Sequence, residues 1–313
     1  MTMQNRHIHM MGTIIQISVQ HEKPTCILDK IVERLEEFDK RFSAHDSNSE
    51  LMKVNNNAGI KPVKVHPELF HLMSVGKKHS TATNSYLNIA IGPLVQAWRI
   101  GFKDAHIPSN DDIRTLLEKT QAQNIILDHQ ARTVFLKQTD MFVDLGALAK
   151  GYIADLIIKD FKSMNVSAGL INLGGNVMTY GPSPKQADGY WRIGIQNPFQ
   201  SRGNFNAILR AYDQSVVTSG IYERKSTINN RTYHHILDPK TGYPIETEIA
   251  SLTIVSKESI DGEIWTGRLF GHTPQQIMGT LNQLPDVDGI VITKDNDMYY
   301  SDTLKPYLTE TVS

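Results

Sequence analysis

Two adjacent histidines, His234 and His235, stand just ahead of Asp238-Pro239-Lys240-Thr241-Gly242, a run of strong turn formers. In an extended segment their rings point to opposite faces. One of them can then face a cleft as a base of near-neutral pKa, while the same pair can equally serve as packing beside a rigid turn. Asp261 and Thr266, in SIDGEIWTGRLFG, are oxygen donors about one helical turn apart, a kind that hard cations such as Mg2+ favour. Read without a metal, Asp261 caps a helix and Thr266 faces a core. In DLGALAKGY (144–152), Asp144 precedes a glycine-containing helix start, and Lys150 lies one and a half turns further on. Amides at such a start favour anions, and the Lys150 amine can reach a phosphate. The plain alternative is a capped helix with a solvated lysine. Gly174 and Gly175, in INLGGN, can present backbone amides to a diphosphate or simply turn one strand into the next. Thr218-Ser219-Gly220 ends an apolar strand and either holds a ligand or terminates that strand.

The elements that must position these residues follow from periodicity. Residues 12–20 alternate as a strand does, and 27–42 place Leu28, Ile31, Val32, Leu35, Phe38 and Phe42 on one helical face. Polar, turn-rich sequence follows through Ala58-Gly59. Helices are expected at 66–80, 93–99 and 111–119, and a hairpin joins 124–128 to 133–137. Asp144 to Phe161 reads as the clearest helix, with Asp144 as its N-cap. Strands are expected at 168–173, 176–180, 190–196, 206–212, 215–218, 232–237 and 251–256. Helices at 258–270 and 274–282 follow, with a closing hairpin at 288–293 and 297–300. There is no regular βαβ alternation, which favours an α+β fold over a doubly wound one. The expectation is one continuous, two-lobed unit over 1–313, without a separate linker.

The composition excludes several classes. The chain has 313 residues, 32 basic and 33 acidic side chains, a net charge of −1 and a 40% apolar fraction. No basic footprint for nucleic acid is present, and no basic face for a membrane. A single cysteine, Cys26, rules out an intrachain disulfide and a cysteine-built zinc site. No apolar run reaches the ~18 residues that a transmembrane helix needs. The N-terminal apolar stretch is broken by Gln16 and Ser18 and has no signal-peptide layout. A cytoplasmic location is therefore expected. The common nucleotide fingerprints, GxGxxG and the P-loop, are absent.

Taken together and in order, these segments resemble the ApbE family, the FAD:protein FMN transferases. The matching stretches are MGTIIQISV, FSAHDSNSELMKVN, IAIGPLVQAW, DLGALAKGYIAD, INLGGN, WRIGIQNP, VVTSGIYER, HHILDPKTGYP and the helix holding Asp261 and Thr266. They run from about residue 10 to residue 300. The resemblance implies an ApbE-type fold of mixed, mainly antiparallel sheets flanked by helices. It implies FAD as substrate, Mg2+ as cofactor and transfer of FMN to a Thr or Ser hydroxyl of a target flavoprotein, releasing AMP. By motif position, Asp144 and Lys150 would contact FAD, Met11 would lie near the flavin, and Leu237 near the cofactor. Ala147 would offer a backbone carbonyl to the metal, with Asp261 and Thr266 as its side-chain ligands, and His235 would stand near the reacting phosphate.

This chain departs from the family pattern in places. The family usually spaces the metal Asp and Thr four apart; here the spacing is five. A one-residue insertion such as a bulged turn must intervene, or Gly262 takes the ligand position. Tyr86-Leu87-Asn88 stands where an aromatic followed by Asp is common, and His45 replaces an aromatic after Phe-Ser. Both places shape the flavin and adenine pockets. Many members are exported lipoproteins, whereas no such leader is expected here. It also lacks the Asp-Gly-x-Ser/Thr-Gly-Ala-Thr pattern that family acceptors resemble, so the acceptor is expected to be a separate protein. Alternatives are an FAD pyrophosphatase that hands FMN to water, a non-catalytic FAD-binding protein, and a plain scaffold. Water access to the site separates the first from transfer, and loss of the metal pair would favour the second.

Overall fold

The computed structural model describes residues 1–310. Two strands, β1 (Thr2–Met10) and β2 (Thr13–His21), open the chain as a hairpin. Its turn residues, Met11 and Gly12, both have positive φ (54° and 70°), as a tight hairpin turn matching strand twist requires. Helix α1 (Pro24–Phe42) follows with proline in its first turn, and buries Leu28, Ile31, Leu35, Phe38 and Phe42. The polar stretch after it contains a short helix, α2 (Glu50–Asn55), capped by Ser49, whose Oγ accepts the Met52 amide at 3.0 Å. Then come β3 (Val63–Lys64), α3 (Pro67–Ser80), α4 (Gly92–Trp98) and α5 (Asn110–Lys119), followed by the hairpin of β4 (Ile125–Asp128) and β5 (Thr133–Leu136).

Helix α6 (Ala149–Ser163) leads into β6 (Ala168–Leu173), β7 (Asn176–Tyr180), β8 (Trp191–Gln196), β9 (Phe205–Ala211) and β10 (Ser215–Gly220). A small hairpin of β11 (Lys225–Ile228) and β12 (Arg231–His234) precedes β13 (Ile249–Ser256). The chain finishes with α7 (Ser259–Leu269), α8 (Pro274–Leu281), β14 (Val287–Thr293), β15 (Met298–Tyr300) and β16 (Leu308–Glu310).

Eight strands form one sheet in the order β1-β2-β6-β7-β10-β13-β14-β15. Every ladder among the described strands is antiparallel, so no mixed sheet of the expected kind occurs among them. One face carries the helices. Ile15, Ile17 and Val19 of β2 share a core with Leu28, Leu35 and Phe38 of α1 and with Ile153, Ile157 and Phe161 of α6. On the other face the sheet β16-β9-β8 brings Trp191, Ile193 and Leu209 against Val216, Val255 and Ile290. Central β13 is buried along its whole length, its polar Ser251, Thr253 and Ser256 included. The architecture is α+β, as expected.

Strand β1 lies outside the sequence expectations, and two local readings are corrected. β1 is the edge strand, with Asn5, His7 and His9 exposed on one face and Gln4, Arg6, Ile8 and Met10 half-buried on the other. The strand expected at 232–237 stops at His234 and pairs back on β11 instead. Asp144 is not the N-cap of the helix that follows. That helix starts at Ala149, and Leu148 is its N-cap residue, without a side-chain hydrogen bond.

Candidate functional site

The loop into α6 is organised by Asp144. Its backbone amide bonds the Ile89 carbonyl at 2.9 Å, which ties the loop to the segment after Asn88. Its Oδ1 accepts the Gly146 amide at 2.8 Å, a local Asx turn that competes with helix capping. The amides of Leu148 and Ala149 both bond the Leu145 carbonyl. Three amides expected to be free for an anion are therefore already engaged, and the cation contributed by this segment is Lys150. Its Nζ lies 3.4 Å from the Gly146 carbonyl and 3.5 Å from Glu263 Oε1.

Helix α7 faces that lysine. It is continuous α-helix from Ser259 to Leu269, without the bulge that a five-residue spacing would need. On such a helix Asp261 and Thr266 are about 140° apart around the axis. Burial agrees. Asp261, Trp265 and Arg268 form a half-exposed stripe, while Gly262, Glu263, Ile264 and Thr266 are buried. Asp261 and Thr266 are thus not brought to one face. Burial, with Glu258 nearby, pushes the Asp261 carboxyl up. The Thr266 hydroxyl donates to the Glu263 carbonyl at 3.1 Å. The helix start is held from outside α7, by Asp155 of α6, whose two carboxylate oxygens accept the Ser259 and Ile260 amides at 2.7 and 2.9 Å.

Glu263 and Asn176 are the residues that the motifs did not single out. Glu263 is only 5% exposed, and Asn176 Nδ2 donates to its Oε1 at 3.1 Å. Asn176 is fixed in turn, since Ser259 Oγ donates to its Oδ1 at 2.7 Å and Ser215 Oγ donates to Ser259 Oγ at 2.8 Å. Space for the carboxylate comes from Gly151, where a Cβ would stand 2.5 Å from the Ser259 carbonyl oxygen and 2.7 Å from Glu263 Cγ. Gly151→Ala should therefore destabilise the fold by about 1–3 kcal/mol, the usual cost of overpacking. Denaturant melts check this, and an unchanged midpoint would show that α6 and α7 move apart freely. The signal that was available for Glu263 is its i,i+3 spacing to Thr266.

His235 lies near enough to this group for the Lys150 charge to act on its ring. Its Nδ1 lies 3.1 Å from the Arg224 carbonyl, which can only accept, so Nδ1 carries the proton and Nε2 is left as an acceptor. Burial holds its pKa down at about 4, with the charges of Arg224 and Lys150 acting in the same direction. The ring is therefore neutral at pH 7. His234 plays a different part, its Nε2 donating to the Ile245 carbonyl at 3.0 Å. The exposed Arg224 runs past two glycines. A Cβ at Gly12 would lie 3.9 Å from its Nη2, and one at Gly101 would lie 3.5 Å from its Cβ. This brings the Met11-Gly12 turn to the His235 side of the site, with Met11 half-buried on the main core.

The other expected residues are distributed as follows. Gly174, at φ +66°, touches the Thr13 side chain so closely that a Cβ would overlap it at 2.3 Å. Gly175 faces open space, but its amide is engaged by Asn172 Oδ1 at 2.8 Å. Lys240 Nζ lies 5.5 Å from the centre of the Tyr86 ring, which joins the Asp238–Gly242 turn to the Tyr86-Leu87-Asn88 segment. Leu87 packs on Gly267 of α7. Asn88 is taken up by the fold, donating to the Thr120 carbonyl at 2.8 Å and accepting the Ala90 amide at 2.9 Å. Leu237 is buried with Leu94, Trp98 and Ile113, and Ala147 is exposed in the loop before α6. His45 is exposed after α1, and no hydrogen bond or ion pair among the described residues links it to Lys150 or His235.

Comparison with known proteins identifies the family and the fold. The sequence profile of the ApbE family matches residues 11–291. A FAD:protein FMN transferase of Klebsiella pneumoniae (strain 342) is 38% identical, over 93% of this chain and 90% of that protein. Another, of Treponema pallidum (strain Nichols), is 30% identical over 91% and 83% respectively. Among solved structures, the ApbE protein of Thermotoga maritima MSB8 superposes with a TM-score of 0.88 at 24% identity, covering 98% of this chain and 99% of that one. The flavin transferase ApbE of Vibrio cholerae gives 0.84 at 23% identity, with the same coverage. At that identity the two structures speak for the fold.

Proposed function

This chain belongs to the ApbE family, and from that premise we propose that it transfers the FMN half of FAD to a serine or threonine hydroxyl of a separate flavoprotein, releasing AMP. The observation that carries this reading is Lys150 of α6, paired with the buried Glu263 of α7 and near enough to the neutral His235 ring for its charge to be felt there. In the transfer, the acceptor oxygen bonds to the FMN phosphorus and the bond from that phosphorus to the bridging oxygen breaks. AMP leaves with that oxygen, and the hydroxyl proton passes to His235 Nε2. Lys150 supplies positive charge to the diphosphate, where negative charge builds up in the transition state. The Arg224 carbonyl keeps the imidazole in the tautomer that can accept the proton. Binding the acceptor segment in line with the leaving oxygen supplies the orientation that free water lacks.

A divalent cation belongs to the proposal. Among the described residues no three His, Cys, Asp or Glu side chains gather into a cage. Mg2+ is commonly held by one or two carboxylates together with substrate phosphates. The residues present fit that pattern: the buried Glu263 carboxylate on α7, the Gly146 carbonyl that shares Lys150 with it, and the Thr266 hydroxyl one turn further along α7. Bound there, the cation would neutralise charge developing on the diphosphate oxygens. Among the described residues no helix is long and apolar enough to cross a membrane. We include a cytoplasmic setting in the proposal; recovery of the protein from the cell envelope on fractionation would contradict it.

Calorimetry tests the substrate reading. FAD should bind at least tenfold more tightly than riboflavin, because only FAD offers a diphosphate to Lys150. Equal affinities would remove the diphosphate from the site.

A further inference from the structure

Sequence pattern selects Asp261 as the metal carboxylate, but the fold delivers Glu263. We propose that Glu263 is the carboxylate of α7 that receives the divalent cation, and that it does so by exchanging Lys150 for the metal. The inference rests on the metal-dependent reading above and specifies its ligand. Glu263 is 5% exposed, and a carboxylate so buried requires a counter-charge. Its counter-ion among the described residues is Lys150, at 3.5 Å.

The surroundings of Glu263 are built to hold it. Ser215 donates to Ser259, Ser259 to Asn176 and Asn176 to Glu263 Oε1, a relay of donors that ends on the carboxylate. Such outer contacts are typical of groups that orient a metal ligand. Gly151 leaves the room that the side chain occupies. Thr266 lies on the adjoining face one turn on, whereas Asp261 shares the outer stripe with Trp265 and Arg268.

The Lys150 ammonium already lies between two oxygens of the kind that a hard cation takes, the Gly146 carbonyl at 3.4 Å and the Glu263 carboxylate. A divalent ion outcompetes a single ammonium for them and frees Lys150 to turn to the diphosphate. Metal and FAD therefore strengthen each other's binding, as any reciprocal linkage demands.

Titrating Mg2+ calorimetrically into the FAD-loaded protein tests this, with wild type, Glu263→Gln and Asp261→Asn compared. Glu263→Gln should weaken Mg2+ binding at least tenfold, and Asp261→Asn should leave it within about twofold. Without metal, Glu263→Gln should bind FAD at least as tightly as wild type, because Lys150 is no longer held. Wild-type affinity for Mg2+ in Glu263→Gln, or a tenfold loss in Asp261→Asn, overturns the assignment while leaving metal dependence intact. A wild-type protein that takes up no Mg2+ beside FAD overturns the metal-dependent reading itself. If Glu263→Gln does not fold in a thermal melt, the Asp261→Asn arm decides: retained binding supports the assignment and loss refutes it.

Discussion

Lys150→Ala is expected to reduce FMN transfer by about 10²–10³-fold, the range seen when one preorganised electrostatic contact to a developing charge is removed. The loss should fall on both binding and turnover. FAD affinity drops because the diphosphate loses its nearest cation, while riboflavin affinity stays within about twofold. The same change leaves Glu263 buried without its partner, so the melting temperature should fall as well. Part of that fall should be recovered by adding Glu263→Gln, because the double variant no longer buries an unpaired charge. Kinetics and melts of the three proteins check this. A Lys150→Ala enzyme with wild-type turnover would show that the lysine serves the fold alone.

His235→Ala should slow transfer by about 10²–10⁴-fold, the span of general-base contributions, while FAD affinity changes by less than about twofold, because a base acts in the transition state rather than in the ground state. The imidazole is held down at about 4. It is therefore a weak base, suited to act late, once attack on phosphorus has acidified the hydroxyl. Its pKa gives the pH dependence a sign. Protonation disarms the ring, so kcat/KM should be level above about pH 5 and fall on the acid side around 4, not around the ordinary histidine value near 6.5. The folded state resists that proton more than the unfolded chain does. This group's contribution to stability is therefore level above about 6.5 and declines as pH falls toward 4. The variant should lack the acid limb. A limb at 6.5, or unchanged turnover in His235→Ala, would place the base elsewhere.

Periodicity located most of the helices and strands that frame the site, because each buries one face of regular spacing. It reported less at three places. Edge strand β1 buries neither face fully, so polar residues serve on both and the apolar signal is weak. Asp144 has the residue type and position of a cap, but the following glycine allows a tighter Asx turn, and the helix waits until Ala149. The face of α7 is the third case. Gly262, Glu263 and Thr266 are buried while Asp261 is half-exposed, and that division follows from packing against α6 and β10, which no local spacing encodes. Lys150 and His235 were legible as residue types near glycines and turns. The pairing of Lys150 with Glu263, and of Asn176 with Glu263, joins positions 113 and 87 apart in the chain and emerged only with the fold.

The central claim is transfer to a protein, and covalent flavin on the acceptor tests it most directly. The purified protein is incubated with FAD, Mg2+ and a flavoprotein domain carrying an Asp-Gly-x-Ser/Thr-Gly-Ala-Thr segment, and intact masses are recorded together with AMP. The account predicts an FMN mass gain on the acceptor, located to the Ser or Thr of that segment, with AMP released in step and no adduct on the transferase itself. AMP release that is equal with and without the acceptor, with no mass gain on either protein, would contradict it.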